Sequence, residues 1–136
     1  MTCPLCETVG GVLLIERKHY RIIRAEDPDY PGFCRIIWRD HVAEMSDLSA
    51  THQHELMSAV FAVERTVRAL YAPDKINLAS LGNMVPHVHW HVIARKRGDR
   101  HFPQPVWAPP QREGDVIWPV VSDEKLREAI AHELGV

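Results

Sequence analysis

Three histidines, His87, His89 and His91, alternate with Val88, Trp90 and Val92 inside the stretch GNMVPHVHWHVIAR, residues 82–95. Alternation at a period of two is the signature of a β-strand, whose successive side chains point to opposite faces. The stretch is therefore expected to be a strand with imidazoles on one side and Val88, Trp90 and Val92 on the other. The second face has to be buried, so the rest of the chain must supply a layer that covers it. The imidazole face must meet water, a partner or a ligand.

A covering layer is legible upstream. Between residues 49 and 71, Leu56, Val60, Val63, Val67 and Leu70 recur at spacings of four, three, four and three, which lays an apolar stripe along one side of an α-helix. His52 and His54 lie two apart in that helix, point different ways, and are expected to be solvated surface. Pro73 ends the helix. Before it, residues 11–17 (GVLLIER), 20–26 (YRIIRAE) and 33–39 (FCRIIWR) read as strands, the last two separated by the break DPDYPG. After it, residues 75–80 (KINLAS) return to a strand, and a turn at 81–84 leads into the histidine strand as a hairpin. Pro86 is tolerable at a strand start, where a missing N–H costs least. Beyond Arg95 the chain turns basic and then proline-rich over 102–121, an extended surface segment that Trp107 and Trp118 are expected to pin down. Residues 122–135 read as a short helix, with Ser122 as its N-cap, Asp123 and Glu124 in its first turn, Leu126, Ile130 and Leu134 as its stripe, and Gly135 as its stop. This order of elements predicts an α+β fold with a mainly antiparallel sheet, in one domain spanning 1–136.

Bulk properties remove several function classes. Apolar residues are 46% and charged residues 25% of the 136, and the formal charge is −2. That balance gives no electrostatic reason to expect nucleic-acid coating or membrane-surface binding. No apolar run approaches the ~18 residues of a membrane span, and MTCPLCETVGG lacks a basic-then-apolar leader pattern, so a cytoplasmic location is expected. Three cysteines are too few and too odd in number for a disulfide framework. Cys34, alone in an apolar run, reads as a small buried hydrophobe.

The imidazole face admits three readings. The histidines can be unrelated surface residues, although three in succession on one face is improbable by composition. They can ligate a metal, since two His at i and i+2 on a strand suit zinc when a third ligand lies near. Or one imidazole can be a nucleophile toward phosphorus, being largely neutral at pH 7, while a charged neighbour neutralises phosphoryl charge. Independently, Cys3 and Cys6 form a CxxC pair. It is either two reduced thiols or half of a tetrahedral zinc site that needs two more ligands.

HVHWHVI resembles the His-x-His-x-His motif, followed by two apolar residues, of the histidine-triad (HIT) family of nucleotide hydrolases and transferases. GNMVPHVHWHVIAR is similar to that family's Gly-Gln-Ser/Thr-Val-x-His-x-His-x-His strand, and YPGFCRIIWRDHVAEMSDL to its Pro-Gly-His strand followed by a further His. The likeness spans roughly residues 3–100. It implies a sheet of about five strands with one long helix against it, and a homodimer. It also implies a nucleotide hydrolase, with His89 as the nucleophile that forms a nucleotidyl-imidazole intermediate. His91 would bind phosphate and assist proton movement, and His87 would be a supporting residue or metal ligand. A His at the third position, in place of Gln, is similar to the hydrolase branches. The family's phosphate-contacting Gln is Asn83 here, its Ser or Thr is Met84, and the His of Pro-Gly-His is Phe33, departures that bear on the leaving group. Glu26 or Asp27 is expected to hold a ribose hydroxyl, with Asn77 a weaker candidate for support of the triad. In some members the CxxC pair is completed by two histidines at the positions of His41 and His87, which implies a closed, structural zinc. No organic cofactor is implied. The expected substrate is a dinucleoside polyphosphate such as diadenosine tetraphosphate. The alternatives are a nucleoside phosphoramidase, a nucleotide-binding module with incidental hydrolysis, and a zinc-dependent hydrolase with all three histidines on the metal.

Overall fold

A computed structural model describes residues 2–136. Strands β1 (Val12–Glu16), β2 (Tyr20–Arg24), β3 (Cys34–Trp38), β4 (Lys75–Ala79) and β5 (His89–Arg95) form one antiparallel sheet in the order β1-β2-β3-β5-β4. The helices are α1 (Pro4–Glu7), α2 (Ala50–Tyr71) and α3 (Asp123–Leu134). The α+β architecture follows the sequence pattern. The short α1 and a 3₁₀ turn at Met45–Asp47 do not, because neither is long enough to show a period.

Helix α2 forms where the stripe predicts. Ser49 caps it, its Oγ accepting from the His52 amide at 3.2 Å. Leu56, Val60, Val63 and Val67 are fully buried against β3 and β5. The stripe then drifts: Tyr71, not Leu70, is the fully buried residue of the last turn. Ala72 takes the left-handed conformation at φ 47°, and Pro73 follows. Gly32 lies beneath this end, where a Cβ would stand 3.0 Å from the Tyr71 ring and oblige that ring to shift. Helix α3 is capped by Ser122 and stopped by Gly135 at φ 80°, and it packs Leu126 and Ile130 onto α2 and β1. Cys34 is buried in the same core, as expected of a small hydrophobe.

Two expectations change. The histidine strand starts at His89: the His87 amide bonds to Val85 O and the Val88 amide to Val42 O, so His87 lies in a bend ahead of the ladder. Pro86, which has no N–H to donate, stands immediately before that bend. His52 is only partly solvated. It is half-buried, with its ring 5.0 Å from that of Trp38 and 4.6 Å from that of His19, while His54 is exposed.

The helices cover one face of the sheet, burying Ile22, Ile36, Val92 and Ala94. The other face is covered in patches. Leu5 of α1 sits on Ile23 and Ile37 at one end, and Val106 of the C-terminal segment sits on Tyr30, Phe33 and Ile93 at the other. His89 pairs with Ile37 and His91 with Arg35, so these histidines lie between the two patches. No described helix is long and apolar enough to cross a membrane.

Candidate active site

The gap between the patches is a cavity of about 530 Å³, walled by Arg35, Asn83, Met84, His89, His91 and Trp107 among others. Backbone and side-chain partners fix the proton on each histidine. A carbonyl oxygen only accepts, so the 2.6 Å contact between His89 Nδ1 and His87 O places a proton on Nδ1 and leaves the lone pair on Nε2. His91 Nδ1 accepts from Arg35 Nε at 3.3 Å, so its proton is on Nε2. His87 resembles His91 in tautomer but not in place: its Nε2 donates to Trp38 O at 2.6 Å, which leaves Nδ1 free on the opposite side of the ring.

His89 and His91 meet edge to face with ring centres 5.0 Å apart. Burial, reinforced by His89 and the Arg35 cation, pushes His91 down to about 4. In the free protein His91 is therefore a neutral hydrogen-bond donor at pH 7, not the charged imidazole that the spacing suggested. The positive charge in the cavity comes instead from Arg35, whose guanidinium lies over the Phe33 ring at 4.9 Å. Phe33 thus supports Arg35 and also meets the His91 ring edge-on at 5.6 Å. Arg35 was legible in principle, since it stands two residues from Phe33 and Ile37 on one face of β3. Which strand lay beside it was not.

The remaining site candidates divide. Asn83 and Met84 are on the cavity wall, Met84 with 93% of its surface exposed. Glu26 is exposed and off that wall. Asp27 turns back on its own loop, its Oδ1 accepting from the Asp29 amide at 2.9 Å, though its charge reaches Arg35. Asn77 shares the histidine face but accepts from Arg95 Nη1 at 2.7 Å, not from a triad member.

Trp107 also departs from expectation. Trp118 packs against the core, but Trp107 remains 55% exposed at the cavity rim, 6.3 Å from the His91 ring. The segment that carries it is tied down by Arg95, which is 2% exposed and lies between the Tyr30 and Phe102 rings. Arg95 Nε and Nη2 donate to the two oxygens of Asp99 at 2.9 and 3.1 Å, and Nη2 also reaches Gln104 O at 2.7 Å. Burial would raise the Asp99 carboxyl. Arg95, the Lys96 and Phe102 amides and the Tyr30 hydroxyl outweigh it and hold the group down to about 2.

His87 belongs to a different group. Its Nδ1 lies 3.5 Å from both Cys3 Sγ and Cys6 Sγ and 3.3 Å from His41 Nδ1, and Cys6 Sγ is 3.4 Å from His41 Nδ1. All four ligand atoms fall within 4.8 Å of one another. A tetrahedral zinc at about 2.3 Å from sulfur and about 2.0 Å from nitrogen separates its ligands by roughly 3.3–3.8 Å. The observed edges fit that ion, and the Trp38 carbonyl supplies the partner that orients a ligating histidine. The bend at 87 is what turns His87 away from His89 and His91. A single metal on all three histidines is therefore not the arrangement present.

A family model for the HIT domain matches residues 9–98. The crystal structure of a histidine triad protein from Bradyrhizobium japonicum is 28% identical, with a TM-score of 0.73, covering 92% of this chain and 91% of that one. One from Marinobacter aquaeolei is 26% identical, with a TM-score of 0.71, covering 93% and 90%. The bis(5'-nucleosyl)-tetraphosphatase [asymmetrical] of Schizosaccharomyces pombe is 29% identical over 77 residues, 53% of this chain and 42% of that protein. The chain thus matches less than half the length of that curated relative.

Proposed function

The chain belongs to the HIT domain family, and from that premise we propose that it hydrolyses a dinucleoside polyphosphate, of the diadenosine tetraphosphate kind, through a covalent nucleotidyl-His89 intermediate. The observation that carries the reading is the His89 Nδ1 to His87 O hydrogen bond, which leaves the Nε2 lone pair available beside Arg35 and His91.

In the first step Nε2 of His89 attacks the phosphorus attached to a nucleoside. The bond from that phosphorus to the bridging oxygen breaks, and its electron pair leaves with the departing polyphosphate. The positive charge left on the imidazole is stabilised by the His87 carbonyl at Nδ1–H. Arg35 and the Nε2–H of His91 take the equatorial oxygens, where charge gathers. In the second step water attacks the same phosphorus, the P–N bond breaks, and a nucleoside monophosphate and a proton are released. Polyphosphate departs as an anion and needs no proton, whereas an amine does. Neutral His91 is a poor acid, and Met84 offers no hydroxyl. This favours a phosphoanhydride over a phosphoramidate.

The test compares turnover of diadenosine tetraphosphate with adenosine phosphoramidate, followed by rapid acid quench with labelled substrate. The polyphosphate is expected to be the better substrate. His89→Asn should lose roughly 10⁴-fold or more in kcat along with the acid-labile adenylyl-protein, and His91→Asn about 10²–10³-fold. Wild-type turnover in His89→Asn would refute the assignment. A wild-type protein that binds nucleotide without turnover is the binding-module alternative, which Asn83 and Met84 at the cavity wall favour.

Under the same proposal Cys3, Cys6, His41 and His87 hold one zinc ion. Four protein ligands leave no open position, so the ion would supply rigidity at the base of the triad and no chemistry. Two copies are proposed to associate as a homodimer.

A further inference from the structure

We propose a second metal site, separate from the triad, in which His19, His52 and Glu55 hold a divalent transition-metal ion on the helix side of the sheet. His19 lies in the turn between β1 and β2, while His52 and Glu55 lie three apart on α2, spacing that puts both on one face of the helix. The ligand atoms of the three residues fall within 4.8 Å of one another. His19 Nδ1 is 2.8 Å from Glu55 Oε2 and 3.2 Å from Oε1, and the two imidazole rings have centres 4.6 Å apart. The rings are backed rather than free. Trp38 stacks on His19 at 5.6 Å and 25°, and lies 5.0 Å from His52. The Ser49 cap fixes the turn that presents His52.

An ion pair accounts for His19 and Glu55 but gives no reason for a second imidazole against the first. Two neutral imidazoles and one carboxylate make a ligand set for zinc, cobalt, nickel or copper. Calcium and magnesium prefer all-oxygen surroundings. The three groups open onto a shallow, solvent-open depression also lined by Thr51 and His54, so a bound ion would keep positions for water or a small anion. His89 and His91 face the opposite side of the sheet, so this site is independent of the proposed hydrolysis.

The experiment titrates the 136-residue chain with Co²⁺. Any cobalt at Cys3 and Cys6 shows sulfur-to-metal charge-transfer absorption, so the equivalent of interest is the one that lacks it. One thiolate-free equivalent is expected, and it should quench the Trp38 fluorescence component and broaden the His19 and His52 ring NMR signals. His52→Gln and Glu55→Gln should each weaken it by roughly tenfold or more. Absence of a thiolate-free equivalent in the wild-type protein overturns the proposal. So does retention of unchanged affinity in both variants, or broadening confined to other histidines. The NMR arm needs no variant, so misfolding of either substitution does not protect the idea.

Discussion

A single carbonyl oxygen can decide what a histidine does. His87 O fixes the proton of His89 on Nδ1, and Trp38 O fixes that of His87 on Nε2, so neighbouring imidazoles present different nitrogens to different partners. His91 is held neutral by burial, His89 and Arg35, and that has a consequence for stability. Its folded pKa of about 4 lies below the ordinary 6.5, so the unfolded chain takes up the proton first as pH falls. The stabilisation is fully present above pH 6.5 and is lost as pH drops from there toward 4. Urea unfolding at pH 7 and at pH 4.5 should show wild type losing about 2 kcal/mol more than His91→Asn. Equal losses would mean that His91 titrates normally. The comparison cancels any acid release of zinc, which both proteins share.

At the scale of elements, the C-terminal segment has no regular structure over 100–121, yet its start is anchored on the buried Arg95–Asp99 pair, which also bonds the His101 and Phe102 amides and Gln104 O. Asp99→Asn leaves the Arg95 cation buried without its counter-charge, a change that typically costs about 3–5 kcal/mol. The expected outcome is a lower urea midpoint together with new protease cleavage within 100–121. Released in this way, Trp107 leaves the cavity rim, so any contact it makes with substrate should be lost at the same time. Cleavage and midpoint both unchanged would show that the Tyr30–His101 and Arg95–Gln104 hydrogen bonds hold the segment without the Asp99 carboxylate.

For the whole molecule, the proposed zinc ties residues 3 and 6 to residues 41 and 87, joining the N-terminus, the end of β3 and the bend before β5. Metal bound only in the folded state adds to stability by mass action. Protein purified without chelator should carry at least one zinc per chain, and Cys3→Ser should lose one equivalent and melt lower by several degrees. Metal-free protein whose Cys3→Ser variant melts unchanged would rule the site out. The proposed homodimer should scatter light at twice the 15.6 kDa chain mass. Phe61, Ile117 and Val120 are large apolar side chains left exposed on the single chain. A mass of 15.6 kDa at micromolar concentration would count against it.

What the sequence alone determined was whatever is local and periodic. The stripe Leu56, Val60, Val63, Val67, the alternation around Trp90 and Val92, the Ser122 cap and the Gly135 stop depend only on neighbours along the chain. The fold class follows from them. The expectation that His89 and His91 form the reactive pair came from the resemblance to the histidine-triad family, as did the grouping of Cys3, Cys6, His41 and His87, which the structure brings together. Tertiary structure decided which of these touch. Alternation implied three histidines facing one way, but the bend at His87, set by hydrogen bonds to Val85 and Val42, sends the first to the cysteines. Arg35 became a phosphate candidate only through strand register, and Trp107 a cavity wall only through a salt bridge four residues beyond β5. His52 read as surface because its partners, His19 and Trp38, are remote in sequence. Chain periodicity records which face a side chain takes. It does not record what stands opposite, because that partner is brought up by a long-range pairing whose register is written in neither segment alone.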